Sequence, residues 1–222
     1  MNKLALKLLI KCVRGWLKML SFNEATHEYR LDGVVVPSVT QIIAPLSDHS
    51  GIPEWILRRK QAIGKAVHKV CELHDNGKLD EASVHPDIAG YFDAYKAFLR
   101  DTCALVLQNE QPVYSYGHKF AGTLDRIYEM PMDRHKCWNT DDRVLCDLKT
   151  VVDLKPATGP QTAGYLLASN IALDTGPPIH RCALQLKPTG QYHIQMYTDS
   201  RDKVVFLSCL QTFNWKKNHG IK

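Results

Sequence analysis

Apolar residues recur along this chain with two periods, and the switches between them divide it into helices and strands. Phe22 to Val36 alternates in the manner of two short strands turning at Asp32-Gly33, a pair suited to positive φ. Pro37 then blocks further pairing, Ser38 is placed as a helix N-cap, and Val39, Ile42 and Ile43 supply one apolar face. From Pro53 to His74 the residues Trp55, Ile56, Ile63, Val67 and Val70 mark the broad apolar side of a long helix. Its polar face carries His68 and Glu72, four apart and therefore neighbours. Gly77 ends that helix, and Pro86-Asp87 opens another. There Ile88, Tyr91, Phe92, Tyr95, Phe98 and Leu99 keep a strict helical spacing that belongs to a core face.

Three extended segments follow: Pro112 to Tyr116, Gly122 to Met130, and Val144 to Val151. The polar stretch Met132 to Asp142 is the loop joining the last two. Pro160 starts a helix through QTAGYLLASNIAL, which sets Gln161 and Tyr165 four apart on one face. The strings RCALQL, KPTG and QYHIQMYT read as a closing hairpin, and a final helix runs from Arg201 to Trp215. The order is helix, three strands, helix, hairpin, helix. It predicts an α/β fold, a central and mostly continuous sheet flanked by helices.

Composition narrows this little. A chain of 222 residues suits one domain, and 45% hydrophobic with 23% charged residues argues against disorder and against multiple membrane spans. The net charge of +5 fits a polyanionic partner without requiring one. Seven cysteines without a C-x-x-C pair exclude a zinc ribbon and suggest no disulfide framework; Cys71 and Cys146 read as small core residues in a reducing compartment. Residues 1–18 carry Lys3, Lys7, Lys11, Arg14 and Lys18 at helical spacing with no acid among them, a cationic amphipathic extension. It is too interrupted by lysine to span a bilayer. It is read either as a membrane-surface or transit segment or as a dispensable extension to a domain over 19–222.

The chemistry concentrates in two strands. GTLDRIYE carries Asp125, and VLCDLKT carries Asp147 and Lys149, which share one strand face on either side of Leu148. Two carboxylates and an ammonium in apolar strands suit a hard divalent cation and phosphodiester cleavage. A solvated surface strand is the alternative for a D-x-K string taken alone. Arg58, Arg59, Lys60 and Lys65 on the His68 helix, with Arg126 and Lys155 nearer the acids, either track a phosphate backbone or form a solvated face.

His68 in GKAVHKVCE, Asp125 in GTLDR, Asp147 and Lys149 in DLKT, and Gln161 with Tyr165 in QTAGY together resemble the ordered motifs of the PD-(D/E)XK nuclease superfamily. More narrowly they resemble its RecB-like branch of phage, prophage and mitochondrial single-strand exonucleases, over about residues 22–165. The resemblance implies a restriction-endonuclease-like core in αβββαβ order. It implies Mg2+ or Mn2+ held by His68, Asp125, Asp147 and the Leu148 carbonyl, with Lys149 as the catalytic lysine. Gln161 and Tyr165 would contact the DNA backbone or orient Lys149. Glu110, Arg126, Ser38 and Thr40 would also face substrate. Two departures are Lys65, where many relatives have a small hydroxyl residue, and the missing proline before Asp125. The cluster-binding cysteines of some relatives are absent, so no iron-sulfur cluster is expected.

The implied activity is a metal-dependent DNA exonuclease in phage or prophage recombination or DNA processing. A structure-specific endonuclease or nickase, and a non-catalytic nucleic-acid-binding protein on the same scaffold, are the alternatives. The implied partners are DNA and a phage single-strand annealing or recombination protein, with a homo-oligomer left open. The implied location is cytoplasmic, in a bacterial or phage-encoded setting, or else mitochondrial.

Overall fold

The computed structural model describes residues 20–24, 26–47, 51–131, 141–169 and 179–221. The expected extension over 1–18 and its boundary lie outside the described residues, as do most of the Met132–Asp142 loop and the expected helix end beyond Ser169.

The opening segment forms three strands, not two: β1 (Leu20–Asn23), β2 (Glu28–Leu31) and β3 (Val34–Val36), paired antiparallel in that order. Asp32 and Gly33 make the expected tight turn, both at positive φ (52° and 81°). The unforeseen first turn places His27 at φ 51°, a left-handed conformation that a histidine does not advertise in sequence. Ser38 caps α1 (Val39–Ile43): its Oγ accepts the Gln41 N–H at 3.1 Å, and Gln41 Oε1 accepts the Ser38 N–H at 2.9 Å. That reciprocal box satisfies two donors at the helix start.

The long helix α2 (Glu54–Asp75) buries Val67, Val70 and Cys71, and Gly77 follows its end at φ 63°. Its first turns depart from the expected apolar side, because core contacts begin only at Ile63 and Trp55 is 67% exposed. Helix α3 (Pro86–Thr102) buries Ile88, Phe92, Tyr95 and Phe98, as its spacing predicts. Fully burying an apolar side chain such as Ile88 or Phe92 contributes roughly 1.5–3 kcal/mol.

Five strands form the main sheet: β4 (Leu105–Ser115), β5 (Phe120–Met130), β6 (Asp142–Lys149), β7 (Ile179–Leu186) and β8 (Tyr192–Met196), in that spatial order. Strand β4 begins well before Pro112; its exposed Leu105 and Leu107 sit on the sheet edge, which hid the alternation. Strands β6 and β7 are parallel and the other neighbours antiparallel, so the sheet is mixed. A parallel pair needs a crossover, and α4 (Thr158–Ala168) lies in it. This helix starts at Thr158, with Pro160 in its first turn, where a missing N–H costs nothing. The last helix, α5 (Arg201–Asn218), runs past the expected end at Trp215.

Two cores result. One packs α2 and α3 on the sheet, and the other packs α1, α4 and α5 on its opposite face. The chain is therefore α/β, a mixed five-stranded sheet between helices with a three-stranded antiparallel sheet beside it. Among the described residues no helix is long and apolar enough to cross a membrane.

Candidate metal and active site

Strand alternation slips once along β5, and the slip falls on the first acid. Leu124 and Ile127 pack in the core of α1, α4 and α5, whereas Tyr128 and Met130 pack in the core of α2 and α3. Strict alternation would separate Leu124 from Ile127. On the neighbouring strand Asn109 pairs with Arg126 and Gln111 with Leu124. Between them Glu110 has φ 45°, a left-handed conformation rare for a glutamate. A distorted pair of residues held by its surroundings is a mark of functional sites.

The distortion turns both carboxylates toward His68 on α2. Its Nδ1 lies 3.6 Å from Glu110 Oε1 and 3.6 Å from Asp125 Oδ1. One ligand atom from each of His68, Glu110 and Asp125 lies within 4.8 Å of the others. Each group is oriented from behind. The Leu148 N–H donates to Asp125 Oδ2 at 2.7 Å, leaving Oδ1 for the cluster. His68 Nε2 donates to the Leu148 carbonyl at 3.1 Å, which leaves Nδ1 as the nitrogen facing the acids. A metal-binding imidazole commonly donates its other N–H to such an acceptor. The Leu148 carbonyl, expected as a ligand, accepts this bond from His68 with one of its two lone pairs.

Burial opposes the imidazolium, but Asp125 and Glu110 outweigh it and push His68 up to about 9. His68 therefore carries a proton at neutral pH, and a cation taking Nδ1 must displace it. Mn2+ affinity should rise about tenfold per pH unit from pH 7 toward 9 and level off above it. Titration of the protein with Mn2+ at several pH values, followed by electron paramagnetic resonance, measures this. A flat profile over that range would show that cation binding displaces no proton from His68.

Asp147 and Lys149 stand beside this trio. Asp147 is 2% exposed and its Oδ2 forms an ion pair with Lys149 Nζ. It is therefore held by the lysine, whereas Glu110 joins His68 and Asp125 within ligand distance. Burial raises the Asp147 carboxyl, with Lys149 pulling the other way and Asp125 adding to the rise. Burial would lower Lys149, yet Asp147 and Asp125 hold its ammonium above the usual range. Lys149 Nζ also donates to Gln161 Oε1 at 3.1 Å, so Gln161 on α4 fixes the lysine from a second side. Tyr165 lies one turn on, and burial raises its phenol. Gly122 lies against this ring: a Cβ there would come within 2.8 Å of Tyr165 Cε1, so only glycine lets β5 and α4 approach this closely.

An open cleft of about 700 Å³ is lined by His68 and Glu110 of the trio and, among others, by Ser38, Thr40, Lys65 and Tyr165. Thr40 is exposed there, whereas Ser38 is 2% exposed and its hydroxyl is engaged in the α1 cap. Arg58, Arg59, Lys60, Lys65 and Lys155 are all exposed, and Arg58 is paired with Glu54.

Arg126 corrects the sequence reading. It was expected to face substrate, but it is 0% exposed. Its Nε donates to Asp75 Oδ2 at 2.6 Å, and its Nη1 donates to Glu110 Oε1 at 3.1 Å and to the Asp125 carbonyl at 2.7 Å. The Tyr95 hydroxyl donates to the other Asp75 oxygen at 2.7 Å and lies 3.1 Å from the Tyr128 hydroxyl. The guanidinium is thus a buried brace behind Glu110. Asp75, at the centre of this network, was missed, although a signal existed. Val67, Cys71 and Asp75 recur at intervals of four, so an acid occupies a core position of the α2 stripe.

Comparison with models of known protein families gives no match to the chain. Comparison with curated proteins gives none either.

Proposed function

We propose that this chain is a metal-dependent deoxyribonuclease of the PD-(D/E)XK superfamily, of the RecB-like exonuclease branch, with a restriction-endonuclease-like core. The observation that carries the reading is the trio of His68, Glu110 and Asp125, two of which, His68 and Glu110, line an open cleft, with Lys149 held nearby by Asp147 and Gln161. Two carboxylate oxygens and one imidazole nitrogen fit a hard divalent cation such as Mg2+ or Mn2+. The strained Glu110 and the braced Asp125 are the kind of preorganisation that such a site requires. A bound cation would supply Lewis acidity, drawing charge from a phosphoryl oxygen and making water a better nucleophile.

Hydrolysis adds a water oxygen to phosphorus and expels a sugar oxygen, which takes up a proton as the bond to phosphorus breaks. Negative charge builds on the phosphoryl oxygens meanwhile. Lys149 holds its ammonium where that charge develops, with Asp147 and Gln161 keeping Nζ in one place. Asp147 sits next to Asp125, with its own charge offset by Lys149, so it is also suited to accept a proton or a hydrogen bond from the attacking water. Tyr165, lining the cleft beside Gly122, shapes the path of the strand.

The reading is tested by incubating end-labelled single- and double-stranded DNA with the protein in Mg2+, Mn2+ or chelator. Shortening that requires the cation supports it. Binding that is unchanged by chelator, with no shortening in any cation, would mean a non-catalytic nucleic-acid-binding protein. A closed circular DNA separates the two modes of cutting, since an exonuclease cannot start on a circle.

A further inference from the structure

Three aromatic rings enter the same cleft from the small sheet. Phe22 on β1 stacks on Tyr29 of β2, with centroids 4.5 Å apart and planes 26° apart. His27, in the turn between them, meets Phe22 edge-on at 5.3 Å and Tyr29 at 6.0 Å. All three line the cleft together with His68, Glu110 and Tyr165. Tyr29 anchors the stack. It is 3% exposed, and its hydroxyl shares a 2.8 Å hydrogen bond with Thr123, two residues before Asp125 on β5. The stack is thereby tied to the strand that carries the acid.

Core packing accounts for Tyr29 but not for the other two. Phe22 is 37% exposed and His27 is exposed on a left-handed backbone. The cleft they line is bordered by Lys65 and Lys69 on α2 as well as by Glu24, Glu72 and Glu110; Lys69 is paired with Glu72 at 2.8 Å, so Lys65 is the cation the cleft offers a phosphate chain along with aromatic faces. Aromatic faces beside cations suit a nucleic acid strand, because every base has a π-face and the contact tolerates any sequence. A duplex covers those faces with neighbouring base pairs, so only an unpaired base can offer one to a side chain.

We propose that Phe22, backed by Tyr29 and flanked by His27, is a stacking subsite for an unpaired base of a DNA strand whose nearby phosphate lies at His68, Glu110 and Asp125. This rests on the nuclease reading for the position of the phosphate, but base stacking can be measured without cleavage.

The experiment places 2-aminopurine at successive positions of a single-stranded oligonucleotide and follows its fluorescence on binding in Ca2+. Wild-type protein should quench one position strongly. Phe22→Trp should keep the quench, whereas Phe22→Leu, apolar but without a ring, should lose it. Phe22→Leu should also raise KM on single-stranded DNA at least about fivefold with kcat little changed. Thermal melting of both variants checks that the hairpin still folds. The inference is overturned if no position is quenched, or if Phe22→Leu binds and quenches like the wild type. Failure of the two readings looks different. A quench that depends on Phe22 in a protein that cuts no DNA would leave the subsite standing and remove the nuclease. Cleavage of single strands unaffected by Phe22→Leu would do the reverse.

Discussion

Lys149→Ala is expected to cut DNA about 10²–10³-fold more slowly than the wild type while binding Mn2+ with nearly unchanged affinity. The expectation follows from where the ammonium sits. Lys149 is not one of the three groups within ligand distance of one another, so its loss should spare the cation. It is held between Asp147 and Gln161 beside those groups, so its loss should remove a fixed positive charge from the reacting phosphate. Asp125→Asn should behave differently, losing Mn2+ binding and cleavage together, because Asp125 Oδ1 is a member of the trio. Single-turnover cleavage and Mn2+ titration of both variants measure the two effects separately. If Lys149→Ala cut at the wild-type rate, the lysine would be a mere counterion for Asp147. Its neighbourhood gives a check on folding too. Without the ammonium the buried Asp147 carboxylate has lost its partner, and its raised pKa lets it take up a proton instead of remaining charged. The variant should therefore stay folded, and a melting curve would report it.

Much of this arrangement was legible in the chain because its signals are local. The Asp32-Gly33 turn, the Ser38 cap, and the apolar faces of the helices bearing His68 and Tyr95 each depend on residues within a few positions of one another. Asp125, Asp147, Lys149, Gln161 and Tyr165 were legible as candidates for a similar reason, as short strings in one order. What was hidden depends on distant partners. Glu110 adopts φ 45° because Arg126 and His68 hold its carboxylate from two sides, and nothing in NEQPVY encodes that. Arg126 follows Asp125 directly and reads as a basic residue beside an acid. Its burial is decided by Asp75, 51 residues earlier, on a helix packed behind the sheet. The slip in β5 alternation is likewise invisible in GTLDRIYE, since the same letters fit a regular strand. Sequence thus pointed to the candidate site groups more readily than to the residues that hold them in place.

Arg126 is accordingly where substitution should cost the fold most. Its guanidinium and the Asp75 carboxylate are 0% and 1% exposed, so neither can turn to water when the other is removed. Breaking one partner of a buried pair typically destabilises by about 3–5 kcal/mol, because the remaining charge is left uncompensated. That is a large part of the ~5–15 kcal/mol that holds a domain folded. Arg126→Met should therefore lower the melting temperature by about 6–20 °C for a chain of this length. Adding Asp75→Asn should recover part of the loss, since it removes the orphaned charge and keeps an acceptor for the Tyr95 hydroxyl. The double variant should still bind Mn2+ more weakly than the wild type, because Glu110 has lost the Nη1 donor that holds Oε1. Stability and metal affinity separate in this way only if Arg126 has two roles, neutralising Asp75 and aiming Glu110. An Arg126→Met protein that melts like the wild type would refute the first, and a double variant with full Mn2+ affinity would refute the second.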